Sequence, residues 1–233
     1  MRKIAILSDI HGNHIALKMV LQDISRQGIQ ECFVLGDMVG YYYHPVEVMR
    51  LLNESGLKLS MIRGNHERMM TKVLQGELTW KEISRKYGHG LQMAAQQLPK
   101  VLLQELLSLP DQRTEVRDDV SFLLCHGAPT DVDRYIYPDA PKSQFDFPDV
   151  RTDFVFLGHT HYSLIRPSER FLLVNPGSVG QARNRGGLAS WCVVNLDNGV
   201  VTMQSTPYDI ESILQECKQH DSDVPYLQDV LLR

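Results

Sequence analysis

Five apolar runs in this chain, each suited to a buried strand, end at residues that commonly bind metal ions. The segments that follow these runs are Asp9-Ile10-His11, Gly36-Asp37, Gly64-Asn65-His66-Glu67, Cys125-His126-Gly127 and Gly158-His159-Thr160-His161. In an open α/β sheet, ligands bind beyond the carboxyl ends of the strands. The repeated pattern therefore predicts a layered α/β fold with one site that is assembled from several strand ends.

The N-terminal part of the chain alternates predicted strands and helices. Strands are predicted at 4–7, 32–35 and 57–62, and helices at 13–26 and 45–54. The assignments follow from continuous apolar runs for the strands and from apolar residues on one face for the helices. This β-α-β-α-β order predicts a parallel sheet with right-handed crossovers.

The rest of the chain predicts a helical insertion and then a second set of strands. Residues 68–109 carry Leu, Ile and Met at helical spacing and are predicted to form consecutive helices. Two interpretations are open for this insertion: a helical hairpin packed on the sheet, or a cap that shapes the substrate pocket. After a strand at 154–157, residues 171–204 are predicted to form a β-meander with an Asn198-Gly199 turn.

Together, these segments predict one α/β (α+β) domain over residues 1–233, built as a four-layer β-sandwich of two mixed sheets flanked by helices. A chain of 233 residues with 43% hydrophobic residues can bury a substantial core. The formal net charge of −4 gives no overall positive field, so we do not expect a dedicated nucleic-acid-binding protein. A phosphate ester or nucleotide substrate stays open, because bound divalent cations would attract phosphate.

No segment predicts export or membrane insertion. Asp9 interrupts the first apolar run before a signal sequence would be complete, and no apolar run approaches the about 20 residues of a membrane span. The cysteines Cys32, Cys125, Cys192 and Cys217 are scattered, so buried reduced thiols are expected rather than disulfides. We therefore expect a cytoplasmic protein without membrane contact, and the sequence leaves its oligomeric state open.

The residue types at the five strand ends favour two divalent first-row metal ions. Imidazole mixed with carboxylate and amide oxygen suits Mn, Fe, Zn, Co or Ni better than Ca or Mg. A carboxylate such as Asp37 is the group best suited to bridge two ions. Two ions about 3.5–4 Å apart can activate a water, so that metal-bound hydroxide attacks a phosphate ester. His66 is not needed for coordination and could donate a proton to the leaving oxygen.

In this order, the motifs Asp-x-His, Gly-Asp, Gly-Asn-His-Glu, a lone His after a strand, and Gly-His-x-His resemble those of the calcineurin-like metallophosphoesterase superfamily. They extend from Asp9 to His161. The later segment Asn175-Pro176-Gly177-Ser178 is similar to the small bacterial and archaeal phosphodiesterase branch. The resemblance implies a β-sandwich flanked by helices, which agrees with the strand pattern.

The resemblance also implies a role for each residue of the site. The implied ligands of one metal ion are Asp9, His11 and His161, and those of the other are Asn65, His126 and His159. Asp37 would bridge the two ions. His66 matches the catalytic histidine of the superfamily.

One departure from the superfamily pattern narrows the expected activity. Protein Ser/Thr phosphatases extend Gly-Asp into Gly-Asp-x-Val-Asp-Arg-Gly, whereas this chain has Gly36-Asp37-Met38-Val39-Gly40-Tyr41. The Asp that orients the catalytic histidine in those enzymes is therefore missing, which leaves the group that orients His66 undefined. Hydrolysis of phosphodiester or nucleotide phosphate bonds is expected. A dinucleoside polyphosphate hydrolase is the alternative, and a protein phosphatase-like enzyme or a non-catalytic metal-binding scaffold is less favoured.

Three further residues are candidate substrate contacts, each with a structural alternative. Arg63 could hold phosphate or pair with a carboxylate. His44, which follows three tyrosines, could line a pocket for a base or belong to a packed aromatic loop. Arg183 could contact phosphate or be solvated. Glu67 is interpreted as structural rather than as a ligand.

Overall fold

The first sheet has a parallel centre formed by the N-terminal strands. In the computed structural model, which describes residues 2–233, these strands are β1 (Lys3–Leu7), β2 (Glu31–Val34) and β3 (Lys58–Met61). β1 pairs in parallel with β2, and β2 with β3. They are connected by α1 (His14–Arg26) and α2 (Pro45–Glu54), which confirms the predicted β-α-β-α-β order.

A C-terminal hairpin completes the first sheet. Strands β9 (Leu188–Asn195) and β10 (Val201–Pro207) are antiparallel, and β9 also pairs antiparallel with β1. The strand order is therefore β10-β9-β1-β2-β3. The hairpin turn contains Asn198 and Gly199, as predicted, and Gly199 has a φ of +69° that suits glycine.

The second sheet also mixes parallel and antiparallel pairs. Its strands are β4 (Gln112–Arg117), β5 (Val120–Cys125), β6 (Phe154–Phe156), β7 (Ser163–Pro167) and β8 (Leu172–Pro176), in the order β4-β5-β6-β8-β7. The edge strands β4 and β7 carry polar and exposed residues, and the sequence analysis did not predict them. Their lack of a continuous apolar run follows from their edge positions, which need less burial.

The predicted β-meander at the C-terminal end is wrong. β8 pairs with β6 and β7 in the second sheet, whereas β9 pairs with β1 and β10 in the first sheet. The segment between β8 and β9 therefore crosses from one sheet to the other. Which strands pair within each sheet depends on contacts between residues that are far apart in the chain. Apolar runs alone do not reveal these contacts.

The helical insertion consists of four consecutive helices. They are α3 (Asn65–Leu74), α4 (Trp80–Tyr87), α5 (Gly90–Gln97) and α6 (Lys100–Ser108). α3 begins at Asn65, three residues before the predicted start of the insertion, so Asn65 and His66 lie in its first turn. Buried residues of the insertion such as Met70, Leu91 and Leu106 share one core with α1, α2 and the first sheet.

The main core of the sandwich lies between the two sheets. Ile6 and Phe33 of the first sheet pack there with Phe122 and Phe156 of the second. The α-helices cover the outside of the first sheet, whereas a loop over 129–149 with a single 3-10 turn covers the outside of the second. The predicted architecture of two mixed sheets with flanking helices is confirmed.

The C-terminal helices pack against the loop that follows β2. α7 (Glu211–His220) and α8 (Tyr226–Asp229) bury Tyr42 and Tyr43 in a separate apolar cluster. Within residues 2–233, no helix is both long enough and apolar enough to cross a membrane. The cysteines predicted as buried thiols are free and buried.

Candidate metal centre

The strand ends that carry the predicted ligands share an unusual backbone conformation. Among the described residues, eight non-glycine positions have positive φ, and five of them are the predicted ligands Asp9, His11, Asp37, His159 and His161, with φ of 53–68°. Each such residue costs on the order of 1–3 kcal/mol, and such residues tend to cluster at functional sites. The left-handed backbone conformation directs neighbouring side chains of one short loop, such as Asp9 and His11, into the same site.

Hydrogen bonds between neighbouring loops hold these strained turns together. The amide of His11 donates to the Asp37 carbonyl at 2.9 Å, and the amide of Asp9 donates to the Gly36 carbonyl at 3.1 Å. The crossover segment after β8 adds a third support, because the Gly180 amide donates to the Asp9 carbonyl at 3.0 Å. The surrounding backbone therefore fixes the geometry of the site before any ligand binds.

The first group of candidate ligands contains Asp9, His11 and His161. The His11 and His161 Nε2 atoms are 3.0 Å apart, and the His161 Nε2 lies 3.3 Å from the Asp9 Oδ1. The other ring nitrogens of the two histidines face carbonyl oxygens of Val39 and Gln181, at 3.3 and 2.8 Å. If each Nδ1–H donates to its carbonyl, both Nε2 lone pairs point into the site, which is the arrangement that metal-binding histidines adopt.

The second group contains Asp37, His126 and His159, with Asn65 beside them. The His126 Nε2 lies 2.8 Å from the Asn65 Oδ1 and 3.3 Å from the Asp37 Oδ2. The His126 Nδ1 donates to the Leu35 carbonyl at 2.7 Å. His159 has the opposite orientation: its Nε2 faces the Asp133 carbonyl at 3.2 Å, so its Nδ1 is the nitrogen available to a metal ion.

Asp37 lies between the two groups. Its Oδ1 accepts the amide of His66 at 2.8 Å, which leaves Oδ2 for the site. That oxygen lies 3.8 Å from the His11 Nε2 and 3.3 Å from the His126 Nε2. The surrounding histidines hold the pKa of Asp37 well below its usual range although burial acts in the opposite direction. Asp37 is therefore ionised and placed to contact ligands of both groups.

The donor set fits divalent cations. Within the described chain, the buried Asp9 Oδ1 has no hydrogen-bond partner, and the two facing Nε2 atoms of His11 and His161 would repel each other unless a cation or proton lay between them. Burial lowers the pKa values of His159 and His161 to about 4, so both rings are neutral near pH 7. Neutral imidazole is the form that binds metal.

His66 lies at the inner wall of the same site. It is buried, its Nε2 lies 4.0 Å from the Asp37 Oδ2, and its Nδ1 has no hydrogen-bond partner among residues 2–233. Burial lowers its pKa to about 3, so the ring alone is neutral near pH 7. A cationic His66, as the sequence interpretation requires, would therefore depend on the negative charge that a phosphate brings.

Packing rather than a carboxylate orients the His66 ring. The rings of Tyr41 and Tyr87 lie 4.8 and 5.3 Å from it, centroid to centroid. Gly40 occupies the position of the Asp that the protein phosphatase pattern has, and a Cβ at Gly40 would lie 2.0 Å from the His66 Nδ1. Tyr87 is the last residue of α4, so a second helix of the insertion, besides α3, contacts the site.

This contact predicts that Gly40→Ala displaces His66. We expect turnover of a diester with an alkyl leaving group to fall by about 100-fold, the order of loss that follows a shift of about 1 Å in a catalytic group. Gly76→Ala is the matched control: Gly76 also has positive φ, +81° against +91° for Gly40, but no atom lies within 4 Å of its added Cβ. Both variants share a backbone cost of about 1–2 kcal/mol. Thermal unfolding and turnover are measured for both variants. Equal turnover of Gly40→Ala and Gly76→Ala would contradict the packing argument.

Glu67 holds the loops of the site together through hydrogen bonds to their backbone amides. Its carboxylate is fully buried and accepts the amides of Asp37 and Gly64 through Oε2, at 2.9 and 2.7 Å, and those of Met38 and Val39 through Oε1, at 2.9 and 3.3 Å. The structural interpretation of Glu67 is consistent with these four bonds. The sequence did not indicate them, because three of the donors lie about 30 residues upstream in the chain.

The structure places two of the candidate substrate contacts in other interactions. The Arg63 guanidinium makes two hydrogen bonds to the Asp111 carboxylate, at 2.8 and 2.9 Å, and a third to the Leu107 carbonyl. The His44 Nε2 lies 2.5 Å from the Glu216 Oε1, and its ring packs on that of His14. Arg63 thus pairs with a carboxylate, as one of its two interpretations has it, whereas a substrate-binding role of His44 stays a prediction.

Arg183 lies at the site without a comparable partner. Its Nε is buried, and the described residues offer it no hydrogen-bond acceptor. The positive charge of Arg183 affects the pKa values of Tyr41 and His161, although burial has the larger effect on both. The side chain is half-buried and lies near the metal ligands, whereas Arg185, two residues later, is exposed.

The fold and the grouped ligands together define the class of metal-dependent phosphoesterases, and the comparisons with known proteins agree. Residues 2–199 match the calcineurin-like phosphoesterase superfamily domain. The uncharacterized protein MJ0912 of Methanocaldococcus jannaschii is 30% identical over 234 residues, covering 91% of this chain and 90% of that protein. This chain belongs to the calcineurin-like phosphoesterase superfamily.

Two further similarities cover the fold and one segment of the sequence. The crystal structure of a metallophosphoesterase from Sphaerobacter thermophilus aligns with a TM-score of 0.76 and 27% identity, covering 97% of this chain and 98% of that one. Phosphodiesterase YfcE of Escherichia coli is 32% identical over 82 residues, which are 32% of this chain and 45% of YfcE.

Proposed function

We propose that this protein is a binuclear metal-dependent phosphoesterase that hydrolyses phosphodiester bonds. The observation that carries the proposal is the position of Asp37, which belongs to two candidate ligand groups, one with His11 and His66 and the other with His126 and His159. One carboxylate shared by two such groups suits two ions that lie close together. Mn, Fe, Zn, Co and Ni all remain candidate ions, because the donor set does not distinguish them.

The proposed roles of the residues follow from their positions. Asp9, His11 and His161 would hold one ion, and Asn65, His126 and His159 would hold the other. When bound, the two ions would supply an activated water and positive charge for the phosphate oxygens. Asp37 fixes the spacing of the two groups, and Glu67 fixes the loop that carries Asp37.

Arg183 and His66 would act on the substrate itself. The partnerless guanidinium nitrogen of Arg183 can donate to a phosphate oxygen, and charge-assisted bonds of this kind are about twice as strong as neutral ones. His66, whose Nε2 faces the site, would donate a proton to the leaving oxygen once a phosphate has raised its basicity. His66 lies in the first turn of α3, after β3, and Arg183 lies on the segment between β8 and β9.

The available positive charge favours a diester over a monoester. Arg63 pairs with Asp111, and Arg68 pairs with both Asp111 and Asp133, so neither guanidinium is free to bind a second phosphate charge. Arg183 alone suits the single negative charge of a diester. The similarity to YfcE, a phosphodiesterase, supports the same choice.

The first test compares three substrates with Mn²⁺-loaded protein: bis(p-nitrophenyl) phosphate, p-nitrophenyl phosphate and diadenosine tetraphosphate. We expect the diester to be hydrolysed faster than the monoester. Preference for diadenosine tetraphosphate would favour the dinucleoside polyphosphate alternative. No turnover of any substrate, with two ions bound, would contradict the proposal and favour a non-catalytic metal-binding scaffold.

The location of the protein in the cytoplasm stays a prediction.

A second prediction concerns Arg183. We expect Arg183→Gln to lower kcat/KM for the diester by roughly 10–100-fold, because a charged hydrogen-bond donor to the phosphate contributes about 1.5–3 kcal/mol. The content of bound metal should not change. Arg185→Gln removes the same charge from an exposed position two residues away and should retain wild-type kinetics. Equal kinetics for the two variants would exclude Arg183 from substrate binding.

A further inference from the structure

Two tyrosines extend from the metal ligands towards the surface. The Tyr135 ring stacks on the ring of the candidate ligand His159, with centroids 3.7 Å apart and planes 29° apart. The Tyr137 ring lies 5.9 Å from Tyr135 and is nearly parallel to it, at 9°. Both rings stay accessible, with exposed fractions of 43% for Tyr135 and 39% for Tyr137. Adjacent exposed apolar side chains can mark a ligand-binding surface.

The segment that carries this tyrosine pair, Tyr135 and Tyr137, is firmly anchored. Ile136 between them is buried, 2% exposed, in the cluster that covers the second sheet. In an extended segment, alternate side chains point to the same side, so burial of Ile136 turns both tyrosines outward together. The Asp133 carbonyl lies 3.2 Å from the His159 Nε2, and Arg68 donates to the Val132 carbonyl at 2.9 Å.

The tyrosine pair and Arg183 lie at the same site. The Tyr135 ring stacks on His159, and the Arg183 amide donates to the carbonyl of His161, two residues further along, at 3.5 Å. A partnerless cation next to exposed rings matches a ligand in which a phosphate is attached to a flat aromatic group.

We propose that the tyrosine pair is a specificity determinant of this enzyme and selects phosphodiesters whose retained group carries a nucleobase. The inference rests on the proposed function, because the rings act on a substrate held at the metal centre. The aromatic group stacks on the tyrosine pair while Arg183 binds the phosphate. Stacking of a base on an aromatic side chain typically changes affinity by about 5- to 150-fold.

The test uses two diesters that share one leaving group. Thymidine 5′-(p-nitrophenyl phosphate) and methyl p-nitrophenyl phosphate both react by addition of water to phosphorus and release of p-nitrophenolate, so only the retained group differs. The measured quantity is the ratio of kcat/KM for the thymidine ester to that for the methyl ester. We expect Tyr135→Ala and Tyr137→Ala each to lower this ratio by about 10-fold.

Two further variants separate stacking from general damage. Tyr135→Phe retains the ring and should keep the wild-type ratio. Lys142→Ala changes an exposed residue of the same loop and should keep both rates. An unchanged ratio in Tyr135→Ala and Tyr137→Ala would overturn the inference while diester hydrolysis itself stands. An equal fall in both rates would also overturn it, because Tyr135 would then only support His159.

If no ester is hydrolysed, the proposed function is contradicted, but the role of the tyrosine pair can still be tested by a binding measurement. Calorimetric titration of the Mn²⁺-loaded protein compares adenosine 5′-monophosphate with ribose 5-phosphate, which lacks the base. Tighter binding of the nucleotide, lost in Tyr135→Ala, would support the tyrosine pair as a base-binding surface. Equal affinities for the two ligands would overturn it.

Discussion

Asp37→Asn is expected to release at least one metal ion and to abolish most turnover. Asparagine keeps an oxygen that can accept the His66 amide, now 2.8 Å from the Asp37 Oδ1, so the local backbone should survive the change. The second oxygen, which lies 3.3 Å from the His126 Nε2 and 3.8 Å from the His11 Nε2, becomes an NH₂ group without a lone pair for a metal ion. Both candidate groups therefore lose a ligand through a single substitution.

The size of the effect follows from this double role. Loss of a group that only supports a metal ligand typically lowers metal affinity by about 10–100-fold, so loss of a shared ligand should exceed about 100-fold. Metal content after dialysis, measured by inductively coupled plasma mass spectrometry, and turnover of the aryl diester would both show it. Asp146→Asn removes the same charge from an exposed position and should change neither. Retention of two ions by Asp37→Asn would refute the bridging role.

The positions of the candidate ligands follow from the sequence because each one is marked by a local pattern. An apolar run marks a buried strand, and the first polar residues after it must lie at the edge of the sheet. Residues at several such strand ends lie together in the structure, as this rule predicts. They are Asp9, Asp37, Asn65, His126 and the two histidines of the Gly-His-x-His motif. The left-handed φ values at several of them were not predictable, since Asp and His adopt that conformation rarely and without a distinct motif.

The aromatic residues of the site show where the sequence was insufficient. Tyr41, Tyr42 and Tyr43 begin four residues after Asp37, which suggested a pocket wall near His44. The Tyr42 hydroxyl instead donates to the Leu227 carbonyl at 3.2 Å, and the Tyr43 hydroxyl donates to Asp221 at 2.8 Å. These partners lie 185 and 178 residues away in the chain, so no local pattern could have indicated them.

The tyrosines that do reach the surface of the site lie in a loop for which the sequence analysis made no functional prediction. Tyr135 and Tyr137 alternate with an apolar residue, and this period-2 pattern is the signal that could have identified an outward-facing pair. Their proximity to His159 depends on how the loop folds back over the second sheet. The edge strands β4 and β7 were missed for a related reason, because their environment rather than their composition makes them strands.

The function of His66 can be separated from that of the ligands by a second substitution. His66→Ala is expected to retain both metal ions, because its ring is not required to complete either proposed set of ligands. Turnover of a diester with an alkyl leaving group should fall by about 100- to 10,000-fold, the usual contribution of a general acid. His14→Ala, which removes a partly buried histidine of α1 from a position beside His44, should retain wild-type activity. Metal content and thermal unfolding would be measured for both variants.

The dependence on the leaving group shows whether His66 is a proton donor. A general acid matters most when the leaving oxygen is basic, so the loss in His66→Ala should be large for a diester with an alkyl leaving group and small for one that releases p-nitrophenolate. His66 is fully buried and its Nε2 lies 4.0 Å from the Asp37 Oδ2, which also permits a purely electrostatic role. An equal loss for both leaving groups would favour that role, whereas loss of a metal ion would make His66 a ligand. Wild-type rates with both esters would remove it from the reaction.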